Sequence, residues 1–423
     1  MHNSSPKNKH QESKTGTLIW TRIALVLAVV GPGIITSNVD NDAGGITTYS
    51  LAGAEFGLKL LWYMLPITGI LILVQEICAR MGVVSGKGLA ALIREEFGAR
   101  VTFYLMIGMI LTNLANTIAE FAGVVASMQI FHVSGHFSAP VAAILVWLLV
   151  IKGSYKSVEK IFLGACLFYA AYIISGFLAK PDWNLVYQEI SSPQPDFSPS
   201  AIIMVAGLVG TTIAPWMQFY LQASIVDKGL NITDYKIVRW DVIIGSVTVS
   251  VVAFFIILVC AVTIHKHGIS IQSAEEAALA LVPLAGRYAG DLFAFGLLNA
   301  SLFAASILPL STAYTVCEAF GWESSVNCKF SEAPQFYILY TLMIILGAGL
   351  VMIPGAPLIS IMFLSQVMNA IFLPVILFFM AKLVNDRSLM GENVNGKISN
   401  FLMWGVFILL SILSIGTLVT SFF

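Results

Sequence analysis

Long apolar stretches dominate this chain and limit what it can fold into. Eleven of them are long enough, or nearly so, to cross a bilayer as a helix of about 20 residues. Of the 423 residues, 58% are hydrophobic and 11% are charged, whereas a soluble domain carries about 25% charged residues. The sequence therefore predicts an all-α membrane protein with eleven transmembrane helices. The predicted spans lie near residues 18–51, 58–84, 102–131, 138–151, 158–178, 199–226, 240–264, 288–318, 335–353, 357–381 and 400–422.

The positive charges predict how the chain is oriented in a cell membrane. If the N-terminus is cytoplasmic, eighteen of the 22 Lys and Arg residues fall on the cytoplasmic side. This asymmetry follows the positive-inside rule and supports the count of eleven, which places the C-terminus outside. Residues 1–17 are polar and predict a disordered cytoplasmic tail rather than a signal peptide.

Charge and cysteine content exclude several other classes. A net charge of −1 gives no basic surface for nucleic acid, and five scattered cysteines form neither a disulfide framework nor a zinc motif. We therefore expect no cofactor and no enzymatic activity, and we expect a monomer whose partners are the lipid bilayer and small ions.

Spans one and six both contain helix-breaking residues. Span one contains "GPGIITSNVDNDAGG", and span six contains "GLVGTTIAPWMQFYLQ" with Pro215 in its middle. Each alone could be an ordinary proline kink. However, broken helices at matching positions of two inverted halves indicate a transporter's central site. The predicted halves are five-helix repeats at residues 18–178 and 199–381, followed by an eleventh helix at 400–422.

Asp42 is the strongest candidate for a site residue. A charged side chain in the middle of a bilayer costs about 2.5–3.5 kcal/mol on insertion scales, and such acids are functional by default. Gly44 and Gly45 follow it and allow backbone carbonyls to converge with the carboxylate. Oxygen ligands of this kind suit hard divalent cations. Asp40 and Asn41 fit two roles equally well, as ion ligands or as caps of the following helix.

Several motifs resemble those of NRAMP divalent-metal transporters. They are "GPGIITSNVDNDAGG" and "ICARMGVVSGKGLAALIREEFG" in the first two spans, "IAEFAGVV" in span three, "GTTIAPWMQFYLQASIV" in span six and "LSQVMNAIFLPVIL" in span ten. The resemblance covers residues 22 to 380. It implies the inverted-repeat fold of the sodium-coupled amino-acid transporters.

Departures from the family pattern fall at its metal-binding positions. The usual Asp-Pro-Gly-Asn is Asp42-Ala43-Gly44-Gly45 here, and the usual Met-Pro-His is Ala214-Pro215-Trp216. The resemblance makes Asp42, Gly45, Val39, Ala214 and Gln366 the candidate metal-binding positions. The candidate proton or cavity residues are Glu120, Asp40, Asn41, Thr212 and Trp216.

The missing thioether predicts the preferred ion. A thioether favours transition metals over hard cations, so Ala214 removes that preference and widens the pocket. Mg²⁺ keeps several of its waters and would suit such a site. We therefore expect an importer of Mg²⁺ that also accepts Mn²⁺, like the prokaryotic NRAMP-related magnesium transporters.

Proton coupling is not expected. All six histidines lie in the tail or in predicted loops, and span nine lacks the family's arginine. Span three keeps Glu120 but has Thr117 in place of the family's other acid. Glu120 fits either a proton carrier or a buried structural acid.

Three alternatives remain open. The first is a proton-coupled Mn²⁺/Fe²⁺ importer. The second is an intramembrane aspartyl protease, which needs acids on two facing helices, whereas Asp40 and Asp42 are neighbours. The third is a sodium-coupled carrier of organic solutes, although Asp42 would repel a substrate carboxylate.

Overall fold

The computed structural model describes residues 39–152, 166–323 and 328–422. The predicted tail, the first half of span one with its Gly-Pro-Gly motif, and the start of span five lie outside these ranges. Within them, every regular element is a helix, which confirms the predicted all-α class.

The α-helices are α1 (Ala43–Phe56), α2 (Met64–Ser85), α3 (Leu89–Ile130), α4 (Gly135–Lys152), α5 (Ala170–Leu178), α6 (Trp183–Ser191), α7 (Pro199–Thr212), α8 (Pro215–Asp227), α9 (Tyr235–Thr263), α10 (Ala274–Ala278), α11 (Val282–Ala285), α12 (Ala289–Phe320), α13 (Pro334–Val351), α14 (Leu358–Leu383), α15 (Arg387–Met390) and α16 (Lys397–Phe422). Short 3-10 helices connect them at Leu61–Tyr63, Cys166–Tyr169, Ile232–Asp234, His265–His267, Leu279–Leu281, Gly286–Tyr288 and Gly391–Asn393.

Eight helical segments of the described chain are long and apolar enough to cross a membrane, and α4 adds a shorter apolar helix. These segments make the chain a multi-pass membrane protein. The full count of eleven spans and the inverted repeats remain predictions, because spans one and five fall partly outside the described residues.

Local sequence explains where several helices begin and bend. Ser198 caps α7 by accepting a hydrogen bond from the Ala201 amide, and Pro199 occupies the first helical position. Helix α3 begins thirteen residues before the predicted start of span three and bends at Gly98, whose φ of 84° favours glycine. On α2, Glu76 and Arg80 form an ion pair, with Arg80 Nε 3.2 Å from Glu76 Oε1.

The long helices pack as two interlocking groups. In one group, α2 contacts both α8 and α9, and α9 also contacts α1. In the other, α3 packs along α12, α13 and α14. Helix α14 also contacts α7 and α1, so it bridges the groups. At one such crossing a Cβ on Gly210 would stand 1.9 Å from the Gln366 carbonyl oxygen, so only glycine permits this approach. The two breaks in the chain lie where these groups meet.

Candidate metal-binding site

Asp42 immediately precedes α1 and occupies its N-cap position. Its backbone is extended, and its Oδ1 accepts a hydrogen bond of 2.6 Å from the Gly45 amide. Asp42 therefore caps the helix, a role for which sequence reasoning had considered Asp40 instead. The carboxylate is 5% exposed, so a buried acid stands at a helix N-terminus, where the backbone dipole favours negative charge.

Asp40 and Asn41 lie just before this cap and are both buried. Asp40 Oδ2 and both side-chain amide atoms of Asn41 have no hydrogen-bond partner within the described chain. The Asn41 carbonyl accepts a 2.8 Å hydrogen bond from the Tyr169 hydroxyl. Buried polar groups without partners are costly, so these side chains are available to an ion or its waters. Val39, the next predicted position, is a buried residue at the edge of the described chain.

Gly45 allows the backbone to fold back on itself. A Cβ at this position would stand 2.5 Å from the Asp40 carbonyl oxygen. The structure thus gives a physical reason for glycine here, where the family pattern has asparagine. A side chain at position 45 cannot fit this conformation without a shift of the backbone.

The second break lies in span six, between α7 and α8. Ala214 has extended backbone angles of −63° and 139°, and Pro215 begins α8. The Ala214 carbonyl accepts hydrogen bonds of 3.1 Å from the Met217 amide and from Gln218 Nε2. Trp216, at the position of the family's histidine, is 1% exposed.

The two threonines before this break differ in their contacts. The Thr212 hydroxyl, predicted as a cavity group, bonds the Leu208 carbonyl and lies 2.8 Å from the Tyr49 hydroxyl. Thr211 Oγ1 has no partner in the described chain and would be 3.0 Å from a Cβ on Gly45. Thr211 therefore faces the first break. Sequence reasoning missed it, because the two adjacent threonines are equivalent in the motif.

Glu120 of α3 belongs to the same site. Its Oε2 accepts a 3.2 Å hydrogen bond from the Ala43 amide, next to the cap. The carboxyl groups of Glu120 and Asp42 lie against each other. Two buried carboxylates in contact repel each other unless a cation or a proton neutralises them. This position favours a role in the site over the purely structural role considered from the sequence.

Gln366 reaches the site from α14. Its Nε2 packs on Gly44, 1.8 Å from where a Cβ would stand. Its Oε1, the atom expected to bind metal, accepts a 2.8 Å hydrogen bond from Asn369. Asn369 in turn exchanges hydrogen bonds with Asn116 of α3. Rotation of the Gln366 amide is therefore needed before its oxygen can face an ion.

Seven of the predicted residues thus surround two facing helix breaks: Asp40, Asn41, Asp42, Gly45, Glu120, Ala214 and Gln366. Among the described residues, no three His, Cys, Asp or Glu side chains are placed to hold one metal ion together. An ion held here would therefore need backbone, amide or hydroxyl oxygens beside Asp42 and Glu120. Broken membrane helices around a buried polar site define a secondary transporter.

Comparison with known proteins assigns the family. The model of the Nramp family, described as natural resistance-associated macrophage protein-like, matches residues 33–420. The chain belongs to this family. It is a transporter rather than an enzyme, and the match supports divalent-metal transport.

Solved structures share the fold. The manganese transporter of Eremococcus coleocola, in complex with an aromatic bis-isothiourea substituted compound, has 20% sequence identity and a TM-score of 0.75, covering 93% of this chain and 87% of that chain. Mhp1, a nucleobase-cation-symport-1 family transporter, has 12% identity and a TM-score of 0.57, covering 92% and 90%. MhsT in complex with L-phenylalanine has 16% identity and a TM-score of 0.56, covering 92% and 97%.

Proposed function

We propose that this protein imports Mg²⁺ and also accepts Mn²⁺. Transport of either ion is not coupled to the movement of protons. The supporting observation is the set of donor atoms between the breaks. Buried oxygens without partners come from Asp40, Asn41, Glu120 and Thr211, while alanine occupies position 214. Hard oxygen donors suit Mg²⁺, and a thioether would favour transition metals.

Retained water explains why several unpaired polar groups lie around the Asp42 carboxylate. Mg²⁺ dehydrates reluctantly and usually binds through one or two carboxylates plus water. Asp42 would bind the ion directly, while the Asn41 amide and the Thr211 hydroxyl would bind its waters. The manganese transporter with the same fold supports Mn²⁺ as a second cargo.

The absence of proton coupling rests on the groups around Glu120. One turn before it, Thr117 bonds the Asn113 carbonyl and packs against Gly347 of α13. Helix α13 carries no ionisable side chain other than tyrosine. Asn116 and Asn369 continue the polar network, and amides do not carry protons at neutral pH. We place the N-terminus in the cytoplasm, as the distribution of positive charge predicts.

A proton-coupled Mn²⁺/Fe²⁺ importer is the second candidate. The observation that favours it is the contact between the Glu120 and Asp42 carboxyl groups. One shared proton could leave this pair when a divalent ion binds.

Flux measurements in liposomes distinguish the two candidates. The purified protein is reconstituted with a Mg²⁺ indicator or a pH dye inside, and Asp42→Asn provides the inactive control. We expect Mg²⁺ entry without acidification of the lumen. Metal-dependent acidification that disappears in Glu120→Gln would overturn the uncoupled mechanism, and entry of Mn²⁺ without Mg²⁺ would overturn the preference.

A further inference from the structure

A cavity of about 400 Å³ opens at one end of the helix bundle. The residues that line it are distant in sequence from both helix breaks. It lies between the start of α3, the end of α14 and the start of α16. Its lining includes Glu96, Phe97, Lys382, Asn385, Asp386 and Trp404. The residues of the metal-binding site do not line it.

The cavity lies beside the bend of α3 at Gly98. Glu96 and Phe97, which immediately precede the bend, line it, and we call this space the elbow cavity. Helix α14 ends at Leu383, and α16 begins at Lys397. Three apolar helices begin or end near this cavity, as membrane helices do at the boundary between lipid and water.

The charges in the cavity are of both signs and are not paired with each other. Within the described chain, the ion pairs are Arg80–Glu76 and Lys87–Glu95, so Lys382 bridges neither Glu96 nor Asp386. Lys382 Nζ lies 5.8 Å from the centroid of the Trp404 ring.

Asp386 is held in its charged form. The Ser388 hydroxyl and amide donate hydrogen bonds to Asp386 Oδ1 and hold the pKa of this carboxyl below its usual range. Two carboxylates and one ammonium therefore face the same space.

Apolar side chains continue from the cavity toward the membrane interior. Ile408 and Leu409 on α16 are 55% and 56% exposed, and Phe103 and Tyr104 on α3 are also exposed. In a membrane these surfaces contact acyl chains. A ligand whose headgroup carries one positive and one negative charge, and which has long apolar tails, would match both the cavity and its surroundings.

We propose that the elbow cavity binds the headgroup of phosphatidylethanolamine. The primary ammonium of this lipid would donate hydrogen bonds to Glu96 and Asp386, and its phosphate would bind Lys382. The acyl chains would lie along α3 and α16. Phosphatidylglycerol has no ammonium for the two carboxylates, and the trimethylammonium of phosphatidylcholine has no N–H to donate.

Native mass spectrometry of the full-length protein tests this site. The protein is equilibrated with equal amounts of the three lipids with identical acyl chains, and the bound lipid is counted. We expect phosphatidylethanolamine to be retained in preference to both others. Glu96→Gln should reduce that preference by about tenfold, because the neutral amide forms a weaker hydrogen bond with the ammonium than the carboxylate does.

Glu95→Gln is the matched control, because Glu95 pairs with Lys87 at 2.7 Å and does not line the cavity. It should leave lipid retention unchanged. Equal retention of the three lipids by the parent protein would overturn the proposal. So would equal behaviour of the two variants, or loss of the preference in excess Mg²⁺, which would make the carboxylates a cation site.

Discussion

Single residues at the two breaks carry more than one role. Asp42 is both the cap of α1 and the acid proposed to bind the ion. Gly45 admits the Asp40 carbonyl at a distance that excludes any side chain. Substitutions here therefore change helix stability and ion binding together, and useful variants must separate the two effects.

Asp42→Asn should abolish Mg²⁺ binding while keeping most of the stability, because asparagine also caps helices but carries no charge. Asp42→Ala should abolish binding and cost about 1 kcal/mol more in stability through loss of the cap. Calorimetric titration and thermal unfolding measure the two effects. Undiminished Mg²⁺ affinity in Asp42→Asn would remove this carboxylate from the site.

Thr211→Val should weaken Mg²⁺ binding several-fold, because it replaces the hydroxyl facing Gly45 with a methyl group of similar size. Thr211→Ser retains the hydroxyl and should bind nearly as the parent does. Titration of both variants with Mg²⁺ provides the comparison. If valine and serine have equal effects, the hydroxyl does not contact the ion or its waters.

Ala214→Met should shift preference from Mg²⁺ toward Mn²⁺ by about ten- to thirtyfold, or one to two kcal/mol for one exchanged ligand. The thioether adds a soft donor and fills space assigned to water. Competition between the two ions in the liposome assay measures the shift. An unchanged Mg²⁺ preference would show that selectivity is set elsewhere.

At position 45, sequence comparison and the structure predict different outcomes. The family pattern suggests that Gly45→Asn, added to Ala214→Met, would supply a further ligand and a larger shift. The structure instead predicts a collision with the Asp40 carbonyl. Adding this change should weaken both ions together.

At the scale of elements, buried amides hold α8 to α2 and to the turn that follows α2. Gln75 Nε2 donates a 2.8 Å hydrogen bond to Gln218 Oε1, and Gln222 Nε2 donates one of 2.8 Å to the Lys87 carbonyl. The Cys78 thiol also bonds the Gln218 carbonyl. Because Gln218 bonds the Ala214 carbonyl as well, it connects the break to α2.

Gln218→Leu should lower the free energy of unfolding by about 1–3 kcal/mol, since it leaves the buried Gln75 amide without this partner. Adding Gln75→Leu should recover much of that stability, because two apolar groups can replace a hydrogen-bonded pair. Mg²⁺ uptake should stay impaired in the double variant, in which the Ala214 carbonyl keeps the bond from the Met217 amide but loses the one from Gln218. Normal uptake in a stable double variant would limit Gln218 to a packing role.

The sequence predicted the membrane helices and the break before Pro215, because hydropathy and proline act locally. It could not predict that Glu120 reaches the Ala43 amide, since 77 residues separate them. It also could not predict that Asn369 occupies the Gln366 oxygen. Such contacts depend on how α3 and α14 pack, which no local pattern encodes.

At the scale of the whole molecule, the acids between the breaks are covered by the surrounding helices. Within the described residues, Asp42, Glu120 and Trp216 are all buried. Transport therefore requires the two packed groups of helices to move relative to each other. If no proton moves with the ion, the membrane potential must act on the ion's own charge.

An inside-negative potential should accelerate Mg²⁺ entry. Two charges crossing 100 mV gain about 2 × 2.3 kcal/mol. A potassium gradient with valinomycin sets the potential in liposomes, and Asp42→Asn liposomes report leakage. Entry that responds to an imposed pH gradient but not to potential would contradict uncoupled transport.

The cap of α1 gives the carrier a further property. The Asp42 carboxylate serves the helix backbone and, in the proposed mechanism, the ion, so the two equilibria are thermodynamically linked. An arriving cation withdraws electron density from the oxygen that holds the Gly45 amide and loosens the first turn of α1. Ion binding would thus make the first turn of α1 less stable. This loss of helix stability would favour the next conformational change without a separate sensor.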